Sequence, residues 1–258
     1  MRERIDGGWD SRTHLVDGRW IEREPLRPEV EPGLRTETRL LPWLAPTLPL
    51  QVPVPSVVAD QPLRVRHRRV RGEPGIATDL ASGRRLGQFL LALHQHPVDE
   101  AVARGVPDAP TSRQRRLAEL ARCHSHVLPM LPTGLAATGA ALLDRLAEAP
   151  HDTLVHGDLG PDHLLVHTGR LHGVIDWTDA HVGDPAVDLS WALNGSEASF
   201  AQGVAATYGA GPAVLSRARD WHLLAPWYEV LYGLDTDKPD FVTSGLAGTR
   251  DRLRETSR

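Results

Sequence analysis

Residues Leu154 to Leu189 read LVHGDLGPDHLLVHTGRLHGVIDWTDAHVGDPAVDL. Two short apolar runs, Leu164-Leu165-Val166 and Leu171 to Ile175, flank Thr168-Gly169-Arg170. Apolar runs around a short glycine-containing loop spell a β-hairpin. Asp158 and His163 lie just before the first strand, and Asp176 closes the second. Folding the hairpin brings the three side chains to one end of it, although 18 positions separate Asp158 from Asp176. Two carboxylates and an imidazole at strand ends can supply one base and two metal ligands.

His-Gly-Asp, a metal-binding side chain five residues after the Asp, and Ile-Asp-Trp at the end of the next strand together resemble the protein-kinase-like antibiotic phosphotransferases. This is the family of aminoglycoside, macrolide and peptide-antibiotic kinases. Gly183-Asp184-Pro185-Ala186 and Asp188-Leu189 match the same pattern. The order parallels the kinase arrangement in which one Asp handles the acceptor hydroxyl while an Asn and a later Asp hold Mg²⁺. The resemblance implies that Asp158 orients and deprotonates the acceptor hydroxyl and that His163 and Asp176 ligate Mg²⁺. Many relatives carry Asn where this chain has His163, whereas the macrolide branch often carries His. An imidazole can ligate, but magnesium prefers oxygen, so Mn²⁺ is a possible substitute. The bland alternatives are a turn cap for Asp158 and a hydrogen bond to a loop carbonyl for His163. His156 and Trp177 are expected to be architectural, and Asp188 to cap a helix and brace the loop backbone. Asp184-Pro185 reads as a turn and helix start. Asp179 is a candidate for contact with a cationic substrate.

At 258 residues the chain fits one large domain or two small lobes around a cleft. An apolar fraction of 41% suits a globular protein with a proper core. The formal charge of −4 argues against a protein that lives on nucleic acid or anionic membrane. Cys123 is the only cysteine, which excludes an intramolecular disulfide and a cysteine-based zinc cluster, and it reads as a stray half-buried residue. The N-terminal MRERIDGGWD lacks a signal-peptide core, and no segment reaches membrane-spanning length, so the expected setting is the cytoplasm. The expected quaternary state is a monomer.

The resemblance runs the full length and implies an α+β, protein-kinase-like fold with a small N-terminal β-rich lobe and a larger, mainly helical C-terminal lobe. Residues 1–73 read as the nucleotide-binding lobe and 74–258 as the catalytic and substrate-binding lobe. In the first, Gly7 to Ser11 is a turn, Thr13 to Val16 a strand, Asp17-Gly18 a hairpin turn and Arg19 to Arg23 the returning strand. Leu34 to Leu44 reads as a helix, QVPVPSVV and LRVRHRRV as extended segments, and Gly72 to Gly75 as the passage between lobes. Beyond Asp79 the pattern is helical, with Leu86, Phe89, Leu90 and Leu93 on one face. A proline-rich loop follows from Pro97 to Pro110, then helices over Arg113 to Met130 and Leu135 to Ala149.

Lys238 is the single lysine among 29 basic residues, and it lies in the tail. The resemblance therefore assigns the phosphate-holding role, usually filled by Lys, to Arg23, with Glu37 bracing it and Ser11 in the flap over the phosphates. The alternative is that Glu22-Arg23-Glu24 is a solvated edge strand of alternating charge. Arg64, Arg66 and Arg68 are placed to pair with those glutamates across the sheet. In the tail, Trp221, Trp227, Tyr228 and Tyr232 accompany Glu229, Asp235 and Asp237. Aromatics with acids suit a bulky cationic acceptor, with Glu229 the candidate contact, although a helical stripe of aromatics also suits a core. His94 reads as a satisfied core histidine.

These readings imply a kinase that transfers the γ-phosphate of ATP or GTP to a hydroxyl of an antibiotic-like natural product and so confers resistance. The alternatives are a metabolic kinase of the choline, homoserine or sugar type, and a catalytically silent nucleotide-binding regulator.

Overall fold

The computed structural model describes residues 1–5, 11–75 and 78–255. Strands β1 (Arg2–Ile5), β2 (Ser11–Val16) and β3 (Trp20–Pro25) lead into helix α1 (Glu31–Leu44), and β4 (Ser56–Asp60) and β5 (Leu63–Arg68) follow it. The five strands form one antiparallel sheet in the order β1-β2-β3-β5-β4. The turn expected at Gly7 to Asp10 lies outside the described residues. Asp17 and Gly18 both have positive φ, 52° and 67°, the backbone that Asp and Gly tolerate best in a hairpin connection. Leu34, Leu40, Leu41 and Leu44 of α1 are fully buried, at the helical spacing the sequence displays. Leu34 packs with Val30, Leu63 and Val65 under the sheet, while Leu40, Leu41 and Leu44 join the main core. One helix thus belongs to both cores.

Strand β3 lies between β2 and β5, so the edge-strand reading of Glu22-Arg23-Glu24 is overturned. Glu22 is buried because basic side chains cover it. Arg66 Nε donates to its Oε1 at 2.9 Å, and Arg64 and Arg2 lie at 3.7 and 3.5 Å from its other oxygen. Glu24 pairs with Arg2 at 2.7 Å and with Arg12 at 3.8 Å. Arg68 pairs with neither glutamate and instead lies over the Trp20 ring at 5.8 Å.

Strand β6 (Glu73–Pro74) carries the chain out of the first sheet. It then runs through α2 (Leu80–His94), α3 (Val98–Ala103), α4 (Ala109–Arg122) and α5 (Thr133–Ala147). Next come β7 (Thr153–Val155), β8 (Leu164–His167), β9 (Arg170–Val174) and β10 (His181–Gly183). The chain closes with α6 (Ala186–Asn194), α7 (Ala198–Tyr208), α8 (Pro212–Asp235) and α9 (Pro239–Glu255). The expected passage between lobes is itself paired, since β6 joins β8 and β9 in a small sheet. Leu86, Phe89, Leu90 and Leu93 are fully buried on one face of α2, as their spacing predicts. The segment expected to be a proline-rich loop contains α3, whose six residues are too few to display a helical period. The helix expected over Arg113 to Met130 ends at Arg122. Pro129 has no N–H to donate, and the Leu128 N–H reaches back five residues to the Cys123 carbonyl in one wide turn.

The α+β, kinase-like architecture is as expected: an antiparallel N-terminal sheet with one helix, then a mainly helical remainder. Among the described residues no helix is long and apolar enough to cross a membrane.

Candidate active site

The hairpin is built as its sequence implies. His167 faces Arg170, and the two connecting residues, Thr168 and Gly169, have φ of 49° and 74°. That is the two-residue turn whose twist matches the strands it joins. Ahead of β8 runs the His156-Gly157-Asp158 loop, and after β9 the chain turns at Asp176, whose φ of 64° is left-handed. Asp tolerates this backbone better than most side chains, and it swings the carboxylate off the strand axis.

Asp188 holds the loop. Fully buried near the start of α6, its carboxylate accepts the backbone N–H of His156 at 2.8 Å and of Gly157 at 2.9 Å. His94 Nε2 lies 3.1 Å from the same group, and His94 Nδ1 is 2.8 Å from the Tyr208 hydroxyl. Burial alone would push the Asp188 carboxyl up. The contacts from His94, His156 and the Gly157 N–H outweigh it and hold the group below the ordinary carboxylate range. Asp188 thus braces the loop as expected but does not cap α6. Asp184 accepts the Ala186 N–H at 3.1 Å, and its oxygens also take Arg217 Nε at 2.8 Å and Trp221 Nε1 at 2.9 Å. The structural reading of Asp184 therefore stands.

His156 ties the two halves of the site together. Its Nε2 donates to the Ile175 carbonyl at 3.0 Å, and its Nδ1 accepts the Asp158 N–H at 3.3 Å. Burial pushes this imidazole's pKa down, so it stays neutral and keeps that tautomer. Gly157, at φ 87°, sits so close to β10 that a Cβ would come within 2.5 Å of the Asp179 carbonyl, which only glycine allows.

On this frame Asp158, His163 and Asp176 converge. The His163 Nδ1 lies 2.6 Å from the Asp158 backbone carbonyl, an acceptor, so the neutral ring carries its proton there. The free Nε2 lone pair then faces Asp176 Oδ2 at 3.8 Å. An imidazole nitrogen and a carboxylate oxygen at that separation can share one divalent ion. Among the described residues no group of three or more His, Cys, Asp or Glu could hold a metal. The remaining positions of such an ion would belong to water and phosphate oxygens, as Mg²⁺ usually prefers. The Asp176 side chain is 46% exposed, so it is not the buried carboxylate that its place after apolar residues suggests. Burial still works upward on its pKa, but Arg23, His163 and Thr178 outweigh it and hold the carboxyl below the ordinary range.

Arg23 projects from β3 toward the same point. Its Nη1 donates to both Glu37 oxygens, at 2.8 and 3.0 Å, and its Nη2 donates to Thr178 Oγ1 at 3.1 Å, 3.6 Å from Asp176 Oδ1. Glu37 is buried, and burial, with Asp176 nearby, pushes its carboxyl up against the pull of Arg23. Thr178 was not singled out in the sequence. It joins Arg23, Glu37 and Asp176, donating to Asp176 Oδ1 at 2.9 Å. Its position two residues after the metal-type Asp was the only signal. Ser11, the first residue of β2, is buried with its Oγ unpartnered among the described residues.

A cavity of about 580 Å³ opens beside Asp158 and reaches Thr178, Asp179 and His181. Arg115, Arg116 and Glu119 of α4, Trp191 of α6, and Trp221 and Tyr228 of α8 form the rest of its charged and aromatic wall. Asp179 thus lies where a second reactant would bind. Glu229 does not line this cavity; its carboxylate accepts the Ser244 hydroxyl of α9. The α4 residues were missed because nothing in a basic amphipathic helix marks it as a cavity wall.

The family model described as "Phosphotransferase enzyme family" matches residues 2–227. Viomycin phosphotransferase of Streptomyces vinaceus is 32% identical over 116 residues, which is 43% of this chain and 40% of that protein. The match therefore spans about two fifths of the curated relative's length. Among solved structures, a GDP and kanamycin complex of APH(2″)-IIIa superposes with a TM-score of 0.86 at 24% identity, over 99% of this chain and 93% of the other. The apoenzyme of a macrolide 2′-phosphotransferase from Brachybacterium faecium gives a TM-score of 0.74 at 27% identity, over 96% and 91%.

Proposed function

We propose that this chain, which belongs to the phosphotransferase enzyme family, transfers the γ-phosphate of ATP or GTP to a hydroxyl of an antibiotic-like natural product and thereby confers resistance. The observation that carries this reading is Asp158 standing between a cavity and a paired His163 and Asp176. The acceptor hydroxyl would enter from the cavity, with Asp158 as its base and Asp179 among its contacts. Phosphoryl transfer depends chiefly on positioning and charge neutralisation, so a single well-placed carboxylate suffices as base. His163 and Asp176 would hold the divalent ion, Mg²⁺ or Mn²⁺. Once bound, that ion neutralises charge on the phosphate oxygens.

Arg23 would hold the nucleotide phosphates, with Glu37 and Thr178 fixing its guanidinium. A guanidinium stays charged at any working pH, which suits a contact that usually falls to lysine. The unpartnered, buried Ser11 Oγ would donate to a phosphate oxygen. On this reading residues 1–73 handle the nucleotide and 74–258 the acceptor and the chemistry. The experiment is radiolabelled transfer from γ-³²P-ATP or γ-³²P-GTP to a panel of aminoglycoside, macrolide and peptide antibiotics. Label on an antibiotic in the presence of Mg²⁺ supports the reading. Nucleotide turnover with no antibiotic labelled would argue for a metabolic acceptor, and no turnover at all for a regulator.

A further inference from the structure

Acids and aromatics near the C-terminus suit a cationic acceptor only if both face it, and the fold separates them. Trp221 and Tyr228 line the cavity beside Asp158. Glu229 is engaged by Ser244, and Asp235 is paired with Arg122 at 2.6 Å; neither lines the cavity. The carboxylate that α4 contributes, Glu119, is already paired with Arg116 at 2.9 Å.

Basic groups take the acids' place. The Arg116 side chain is largely buried, 4.4 Å from the Trp221 ring centroid, and it donates to the Tyr228 hydroxyl. It is a fixed cation in an aromatic wall. Arg115, its neighbour on α4, also lines the cavity, is exposed, and makes no ion pair or hydrogen bond among the described residues. His181 adds no negative charge, and burial lowers its pKa so that the ring stays neutral. A polyamine entering here would meet one unpaired guanidinium and bring only Asp179 and the base Asp158 into play. An anionic group would find Arg115 free, with Trp191, Trp221 and Tyr228 to receive a flat apolar face.

We propose that the acceptor is a hydroxylated compound bearing an anionic group that pairs with Arg115 and an aromatic or other flat apolar face that packs on Trp191, Trp221 and Tyr228, and that it is not a polyamine. This rests on the cavity beside Asp158 being the acceptor site. The test is calorimetric titration of the full chain with three probes: 4-nitrophenyl β-D-glucuronide (anionic), 4-nitrophenyl β-D-glucoside (neutral) and kanamycin (polycationic). The glucuronide should bind about tenfold more tightly than the glucoside, the effect of one charge-assisted hydrogen bond, and kanamycin more weakly than both. Arg115→Glu should remove the glucuronide's advantage and tighten kanamycin. Arg113→Glu, the same charge change on the same helix but outside the cavity lining, should leave all three unchanged. Tighter binding of kanamycin, no saturable binding of the glucuronide, or equal shifts from the two variants would overturn the proposal. These titrations read binding alone, so failure to transfer phosphate to any acceptor would count against the proposed function and not against this assignment.

Discussion

His163 and Asp176 approach to 3.8 Å with the imidazole Nε2 free, and this makes their roles separable by substitution. Asp176→Asn should lose the metal dependence of nucleotide binding, while His163→Asn should stay active, because an amide oxygen is a good magnesium ligand. Nucleotide titrations with Mg²⁺ and with Mn²⁺ check both, and an inactive but folded His163→Asn would show that the ring does something other than ligate. Arg23 reaches toward Asp176 from a sheet whose single lysine substitute it is, since the one lysine lies at position 238. Arg23→Ala should raise the nucleotide KM about tenfold or more, as loss of a charge-assisted contact does, and barely move the acceptor KM. Steady-state kinetics in each substrate reads this directly, and equal effects on both constants would contradict it. Asp188 gives a pH signature. Its folded pKa is depressed, so its contribution to stability is present above the ordinary carboxylate pKa and is lost as pH falls through the folded value. Asp188→Asn should therefore be destabilised at neutral pH by about 1–3 kcal/mol, the cost of leaving buried donors unsatisfied. The gap between parent and variant should narrow below about pH 4, as the wild-type carboxyl gains its proton. Thermal melts from pH 3 to 8 measure it, and a gap that widens in acid would refute the assignment.

The hairpin of β8 and β9 is the element on which the site depends, and it was legible because everything that defines it is local. The apolar runs, the Thr168-Gly169 turn and the polar residues at the strand ends all lie within a few positions of one another. What was not legible is how the rest of the chain grips it. The Gln51 backbone pairs alongside Gly173, donating to the His172 carbonyl at 3.0 Å and accepting the Val174 N–H at 2.9 Å. A Cβ on Gly173 would meet Val70 Cγ1 at 2.5 Å and the Gln51 carbonyl at 2.9 Å. Gly173→Ala should thus cost about 1–3 kcal/mol by overpacking and lower the melting temperature by several degrees. An unchanged melt would mean that this junction is looser than its distances indicate. Strand β3 was misjudged for a related reason. Its alternating charges read as a solvated edge, but arginines from β1 and β5 close over Glu22, and pairing across a sheet is decided by strands distant in sequence.

At the scale of the whole molecule, the two sides of the site differ in how far they could be read. The catalytic side lies within one continuous stretch, and its Asp158, His163 and Asp176 meet as their spacing predicts. The cavity side is assembled from α4, the loop after β9, α6 and α8, spread from Pro107 to Tyr228, so no local pattern announces it. Basic residues on α4 and acids on α8 carry no hint in sequence of which will face the opening. Cys123 follows the same logic in reverse: an isolated thiol beside Arg122 and His124 could pass as reactive, but packing buries it and pushes its pKa up to about 12. What joins the two sides is Asp158, exposed at the cavity edge on a loop held by Asp188, His156 and Gly157. The most direct measurement is phosphoryl transfer by Asp158→Asn alongside nucleotide binding by the same protein. Transfer should fall by about 10²–10⁴, the usual contribution of a general base, with nucleotide affinity within a few-fold of the parent. Turnover retained within tenfold would contradict the assignment of Asp158 and the account built on it.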